Sequence, residues 1–434
     1  MTDFAERSSL QETDFIIRSL MDVDFYKLTM GYYIFKKHRG VNVKFRLINR
    51  DQNVPLGFMI DEQELREQLD HVRTLGFRRT DLYYLRGMDV YGENMFDEEY
   101  IEFLSTVRLP DYHLEMKGPE LSLTFEGPWE QVTFWETIAL AIVSELYYRK
   151  KLRKMTSMDR KVLYANATSK LYNKLKFIKE NAPNAKITDF GQRRRHSFLW
   201  QKFAIEMASD VLGDQFVGTS NTWLAFNQDK VPIGTNAHEL PMVVTALYPD
   251  ELKPKAQYDI VREWGTLFGK GLRIVLPDTY GSTQFFKGMP RNLAEEIATN
   301  WRGIRQDSGS PEVEANMFFY WLRDHDVDPR EKACIFSDGL DYENIVNLQT
   351  QFEGQMITPF GWGTALTNDF IDCDPSGEDR FRSFSLVCKV LEADGKPAVK
   401  LSNNPKKATG IQSEIAKYLK IFGNDGKTEM ETRV

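Results

Sequence analysis

The spacing of apolar and polar residues divides the chain into two kinds of territory. Residues 43–48 alternate with the two-residue period of a half-buried strand, residues 61–75 repeat apolar positions at helical spacing, and 113–116 with 121–125 form a hairpin pattern around Gly118-Pro119. Helical stretches follow at 129–150 and 157–180, and Asn181-Ala182-Pro183 stops the second. Short apolar runs at 186–189, 215–218, 272–276, 333–336 and 355–358 then alternate with helical segments. Such an order implies parallel pairing, because a parallel crossover returns the chain through a helix or its equivalent. After Asp369 the hairpin pattern comes back, at 384–392 and 398–401 around Ala393-Asp394-Gly395-Lys396. These patterns predict an α+β domain built from residues 1–150 together with the tail 380–434, and an irregular TIM-like α/β barrel over 151–379. The barrel is preferred to an open doubly wound sheet because the polar motifs mostly follow strands, and barrels send functional loops from several strands to one rim.

Composition narrows the function classes. The 434 residues carry a net charge of −7, which leaves no broad basic footprint for nucleic acid, so any anion has to be met locally. The longest apolar run, 138–143, falls far short of the roughly 20 residues of a membrane span and reads as a buried helix. Cys334, Cys373 and Cys388 are spaced like neither a zinc site nor a disulfide framework. The opening MTDFAERSSLQETDF places acidic residues where an export signal needs basic and then apolar ones. The expectation is a cytoplasmic protein with reduced thiols and no membrane or nucleic-acid partner.

The candidate chemistry lies in the loops after the predicted strands. DFGQRRRHS at 189–197 sets three arginines at the start of a helix, against its dipole, which favours an anionic ligand there. GTNAHE at 234–239 holds His238, one of six histidines, beside a carboxylate and small residues; an imidazole near phosphate-binding groups can serve as acid, base or phosphoryl acceptor. In RQDSGSP at 305–311, Arg305 suits a carboxylate or phosphate, and Asp307 suits ribose hydroxyls or hydrated magnesium. FSDG at 336–339 and GWGT at 361–364 add further polar turns. Neither the dinucleotide fingerprint GxGxxG nor the P-loop pattern occurs. Together the loops point to a sugar-containing ligand rich in phosphate.

This set resembles the nicotinate phosphoribosyltransferases of NAD salvage, from DVDFYKLTMGY at 22–32 through the loops above to VKLSNNPKKATG at 399–410. The resemblance implies a type II phosphoribosyltransferase fold. It also implies transfer of phosphoribose from phosphoribosyl pyrophosphate (PRPP) to nicotinate, dependent on Mg2+ and coupled to ATP hydrolysis, giving nicotinate mononucleotide and pyrophosphate. By the same resemblance His238 is the phosphorylated histidine, with Thr235 adjoining it. Phe190 and Tyr26 sandwich the pyridine, with Tyr26 reaching in from a neighbouring subunit of a homodimer. Arg305 holds the nicotinate carboxylate and Arg193 lies near the nucleotide phosphates. Asp338, Gly339, Gly361, Gly363 and Thr364 form phosphate-binding loops, and Asp278 and Asp307 serve ribose or magnesium. Ser220 stands where amide-specific relatives place Asp, which favours the acid as substrate because a carboxylate would repel it. The alternatives are a nicotinamide phosphoribosyltransferase and a non-catalytic regulator that binds a phosphoribosyl group or nucleotide; quinolinate phosphoribosyltransferase would need further basic residues for a second carboxylate.

Overall fold

The computed structural model describes residues 14–91 and 94–431. The opening stretch on which the cytoplasmic expectation rests lies mostly outside them. In chain order the strands are β1 (Asn42–Asn49), β2 (Tyr112–Lys117), β3 (Glu120–Pro128), β4 (Lys186–Asp189), β5 (Phe216–Thr219), β6 (Val231–Pro232), β7 (Ile274–Val275), β8 (Gly303–Gln306), β9 (Ala333–Phe336), β10 (Pro359–Trp362), β11 (Leu386–Ala393) and β12 (Lys396–Pro397).

Five of them form an antiparallel sheet in the order β12-β11-β1-β3-β2. β11 runs antiparallel to β1, from Val43 opposite Ala393 to Asn49 opposite Leu386. Alternation places Phe45 and Leu47 of β1, and Leu386, Cys388 and Val390 of β11, in the core. The other seven form a parallel sheet in the order β6-β5-β4-β10-β9-β8-β7, curled into a half-barrel in which β6 and β7 do not pair with each other. The helix Trp135–Leu152 is buried on nearly every side, which accounts for its apolar run. Among the described residues no helix is long and apolar enough to cross a membrane.

Besides the two-residue β6, which no apolar run announces, three strand positions depart from the pattern-based expectation. β8 carries Arg305 and Gln306 in a fully buried strand and has no apolar run to announce it. The run 355–358 meets the sheet only through Ile357, beside the start of β9, where Cys334 N–H donates to Ile357 O (2.9 Å) and Ile357 N–H to Lys332 O (3.0 Å); the strand proper starts at Pro359, a position that tolerates a missing donor. Residues 398–401 extend past the hairpin to the barrel, where the N–H groups of Leu401 and Ser402 donate to Thr279 O at 2.9 and 3.1 Å.

Candidate functional site

A cavity of about 170 Å³ opens at the C-terminal ends of the parallel strands and is roofed by the antiparallel sheet. On this measure a single water needs roughly 10–15 Å³, so the space suits a ligand of several groups. Loops after β4, β5, β6, β8, β9 and β10 contribute to it, as the barrel habit predicts.

Tyr26 and Phe190 both line this cavity. They do so within one chain, whereas the resemblance implies a Tyr26 supplied by a neighbouring subunit. The segment before Tyr26 lies antiparallel to residues 220–223: Phe25 N–H donates to Ser220 O (2.6 Å), Thr222 N–H to Val23 O (3.0 Å) and Trp223 N–H to Met21 O (2.9 Å). That pairing carries the ring into its own chain's cavity. Gly361 does not border the cavity but supports Phe190, since a Cβ there would come within 2.3 Å of the ring. Gly339, at φ +56°, makes the left-handed turn of the 337–340 loop, which lines the cavity with Asp338.

The three consecutive arginines meet different fates. Arg193 and Arg194 face the cavity, whereas Arg195 is fully buried and grips Asp22 with both terminal nitrogens at 2.8 Å. Arg193 Nε lies 3.6 Å from Asp24 Oδ2. Asp24, a residue that pattern reading missed, accepts a hydrogen bond from Ser220 Oγ and keeps Oδ2 buried without a hydrogen-bond partner. Burial pushes its carboxyl up to about 6, against the pull of Arg193. Ser220 therefore stands beside a carboxylate supplied from elsewhere in the chain.

His238 is held on both ring nitrogens, Nδ1 by Thr279 Oγ1 and Nε2 by Asp307 Oδ2, each at 2.9 Å. Burial, with Lys400 nearby, lowers it to about 4, so the imidazole is neutral at pH 7. Asp307 is an acceptor, so Nε2 carries the proton and the Nδ1 lone pair receives the Thr279 hydroxyl. Burial opposes ionisation of Asp307, but the hydrogen bond from His238 and the charge of Arg305 hold it well below the usual carboxylate range. Arg305 borders the cavity and donates from Nη1 to Asn236 O at 2.7 Å. Asp278 lies behind the histidine: Oδ1 is 3.7 Å from Nε2 and has no hydrogen-bond partner, while Oδ2 accepts from Ser308 Oγ. Thr235 is likewise behind the wall, its carbonyl accepting from Thr29 Oγ1. Gly363 and Thr364 line the cavity.

The roof is cationic. Arg50 after β1, Lys389 on β11, and Lys400 and Lys407 from the tail all line the cavity, facing Arg193 and Arg194. Lys407 is neutralised by Asp338. Burial pushes Lys389 down to about 8, with Lys400, Arg193 and Arg50 adding to the effect, and lowers Arg194 to about 10. Mutual repulsion of this kind is relieved by an anion. Lys400, Lys407 and Asn403 are fixed to the barrel by the 399–407 segment, where Asn403 N–H meets Ser308 Oγ (3.2 Å) and Asn403 Oδ1 meets Ser282 N–H (2.9 Å). The described residues contain no cluster of three or more metal-ligating side chains. Asp307, which lines the cavity, fits one ligand of a magnesium ion that keeps most of its ligands on phosphate and water, whereas Asp278, expected to share that role, is buried behind the histidine and does not line the cavity.

Comparison with known proteins agrees with this picture. Residues 185–426 match the model of the nicotinate phosphoribosyltransferase (NAPRTase) family, and 21–144 match the NAPRTase N-terminal domain. A nicotinate phosphoribosyltransferase from Vibrio cholerae is 28% identical, with a TM-score of 0.84 over 96% of each chain. One from Porphyromonas gingivalis is 27% identical, with a TM-score of 0.80 over 94% of this chain and 100% of its own. A putative one from Saccharomyces cerevisiae is 25% identical, with a TM-score of 0.82 over 95% of this chain and 99% of its own. With both halves of the cavity wall inside the matched regions, the chain belongs to the nicotinate phosphoribosyltransferase family.

Proposed function

We propose that this phosphoribosyltransferase joins nicotinate to the phosphoribose of PRPP and couples the reaction to ATP through a phosphohistidine at His238. The observation that carries the reading is the grouping in one cavity of two aromatic rings, the guanidinium of Arg305, an oriented neutral imidazole and a roof of four cations only partly offset by carboxylates. As C1 of the ribose gains oxocarbenium character, pyrophosphate takes negative charge, and Arg194, Lys389 and Lys400 are preorganised to meet it. Tyr26 and Phe190 would hold the pyridine flat, so that its nitrogen faces C1, and Arg305 would anchor the ring carboxylate. At His238 the nitrogen on the cavity side is Nε2, which would accept the phosphoryl group as its proton passes to Asp307, while Thr279 holds Nδ1 and keeps the ring oriented. A magnesium ion, when bound with the substrate phosphates near Asp307, would neutralise charge on the leaving oxygens.

Asp24 supports a second reading. Its carboxylate lies where an amide NH₂ would find an acceptor, so nicotinamide is to be assayed beside nicotinate even though residue 220 is Ser. For the histidine, the test is His238→Ala assayed for product with and without ATP. The variant is expected to keep slow ATP-independent transfer and to lose ATP stimulation; stimulation at the wild-type level would remove the phosphohistidine from the mechanism.

A further inference from the structure

Besides Asp24, Asp307 and Asp338, two more carboxylates, Glu136 and Glu239, stand in the wall of the cavity, opposite its cationic roof. Both face Lys27, which is fully buried behind the wall: its Nζ lies 2.6 Å from Glu136 Oε2, contacts Glu239 Oε2, and donates to Thr133 Oγ1 at 3.3 Å. Each carboxylate also holds a second element. Glu136 Oε2 accepts from the Tyr26 hydroxyl (3.1 Å), and Glu239 Oε1 accepts from Trp129 Nε1 (2.6 Å). Glu239 opens the helix Glu239–Leu247 directly after His238. The triad thus ties the aromatic wall to the base of the histidine loop, with one cation set against two anions.

The geometry points to Lys27 as a positioning residue that screens Glu136 and Glu239 from anionic ligands while fixing Tyr26 and the helix after His238 in one arrangement. This inference rests on the functional reading above. Without Lys27, two buried carboxylates would face each other and the ligand, and one would take up a proton as pH falls. The other groups around them remain: Arg193 and Lys389 as cations, Asp24 as a further carboxyl, and Tyr26 and Cys388 as neutral neighbours. Lys27 does not line the cavity, so its effect on a ligand is transmitted through the two glutamates.

The test compares wild type, Lys27→Met and the charge-compensated Lys27→Met/Glu239→Gln. The readouts are the pyrophosphate Kd by calorimetry and the nicotinate KM and kcat, each at pH 6 and pH 7.5. The single variant is expected to weaken pyrophosphate binding and raise KM at least tenfold at pH 7.5, by clearly less at pH 6, with a smaller change in kcat. The double variant is expected to recover most of the loss. Equal impairment of both variants at both pH values marks a merely structural lysine and overturns the inference, as does a folded single variant with wild-type constants. If Lys27→Met does not fold, Glu239→Gln alone reads the same electrostatics in reverse: pyrophosphate binding holds or tightens, and a tenfold weakening overturns the inference. Failure of wild type to bind pyrophosphate or to use nicotinate would remove the functional reading itself, a result distinct from any pattern among the variants.

Discussion

Arg193, Arg194 and Arg195 are consecutive in the chain and end in three environments: beside Asp24, among other cations, and locked onto buried Asp22. The sequence marks the cluster as an anion site, but which guanidinium faces the ligand depends on the residues folded against each one. Asp24 was hidden for the same reason. Its neighbour Ser220 is 196 positions away, and an Asp in an apolar helix lead reads as an N-terminal residue and nothing more. Its raised pKa carries a signed consequence. Between the ordinary value of 3.8 and about 6 the folded state binds the extra proton, so this group's contribution to stability is fully present at low pH and is lost as pH rises through about 6. Asp24→Asn is therefore expected to gain stability relative to wild type as pH goes from 4 to 7 and to hold that difference above 7. Paired thermal unfolding curves across this range check it; a constant difference would show that Asp24 ionises normally.

At the scale of elements, β4 and β9 were legible because short apolar runs between helices have few other readings. β8 was not, since a strand that carries Arg305 into a cavity lacks the pattern by which strands are found. The cationic roof was missed on similar grounds. Lys389 sits in an alternating strand, where a lysine is normally a solvated outer residue, and only the docking of the antiparallel sheet over the barrel turns it inward. Gly339 and Gly363 line the cavity, but Gly361 acts one step removed, by making room for Phe190. Gly361→Ala is expected to displace that ring and raise KM for the pyridine substrate about tenfold, in line with the ~1–3 kcal/mol of a forced overpacking, with little change in pyrophosphate affinity. Steady-state kinetics beside a pyrophosphate titration separate the two; equal loss in both would mean that the strand, and not the ring, had moved.

At the scale of the whole molecule, the return of the chain after the barrel is what completes the cavity. β11 enters the first sheet beside β1, and the 399–407 segment then crosses to Thr279 and Ser308, bringing Lys400 and Lys407 to the rim. The fold class was readable because the hairpin pattern reappears after the last barrel strand. The supply of Tyr26 within the chain was not readable, since it depends on the pairing of residues 21–25 with 220–223. That pairing makes both aromatic walls available to a single chain. Specific activity is accordingly expected to stay constant on dilution through any range in which sedimentation shows dissociation to monomers, whereas a fall that tracks dissociation would return part of the site to a partner. The most direct test of the account remains the reaction itself: purified protein with nicotinate, PRPP and Mg2+, with and without ATP, assayed for nicotinate mononucleotide with nicotinamide in parallel. The expected product is the acid nucleotide, formed faster with ATP; turnover of nicotinamide alone, or of neither ring, would contradict the proposed reaction.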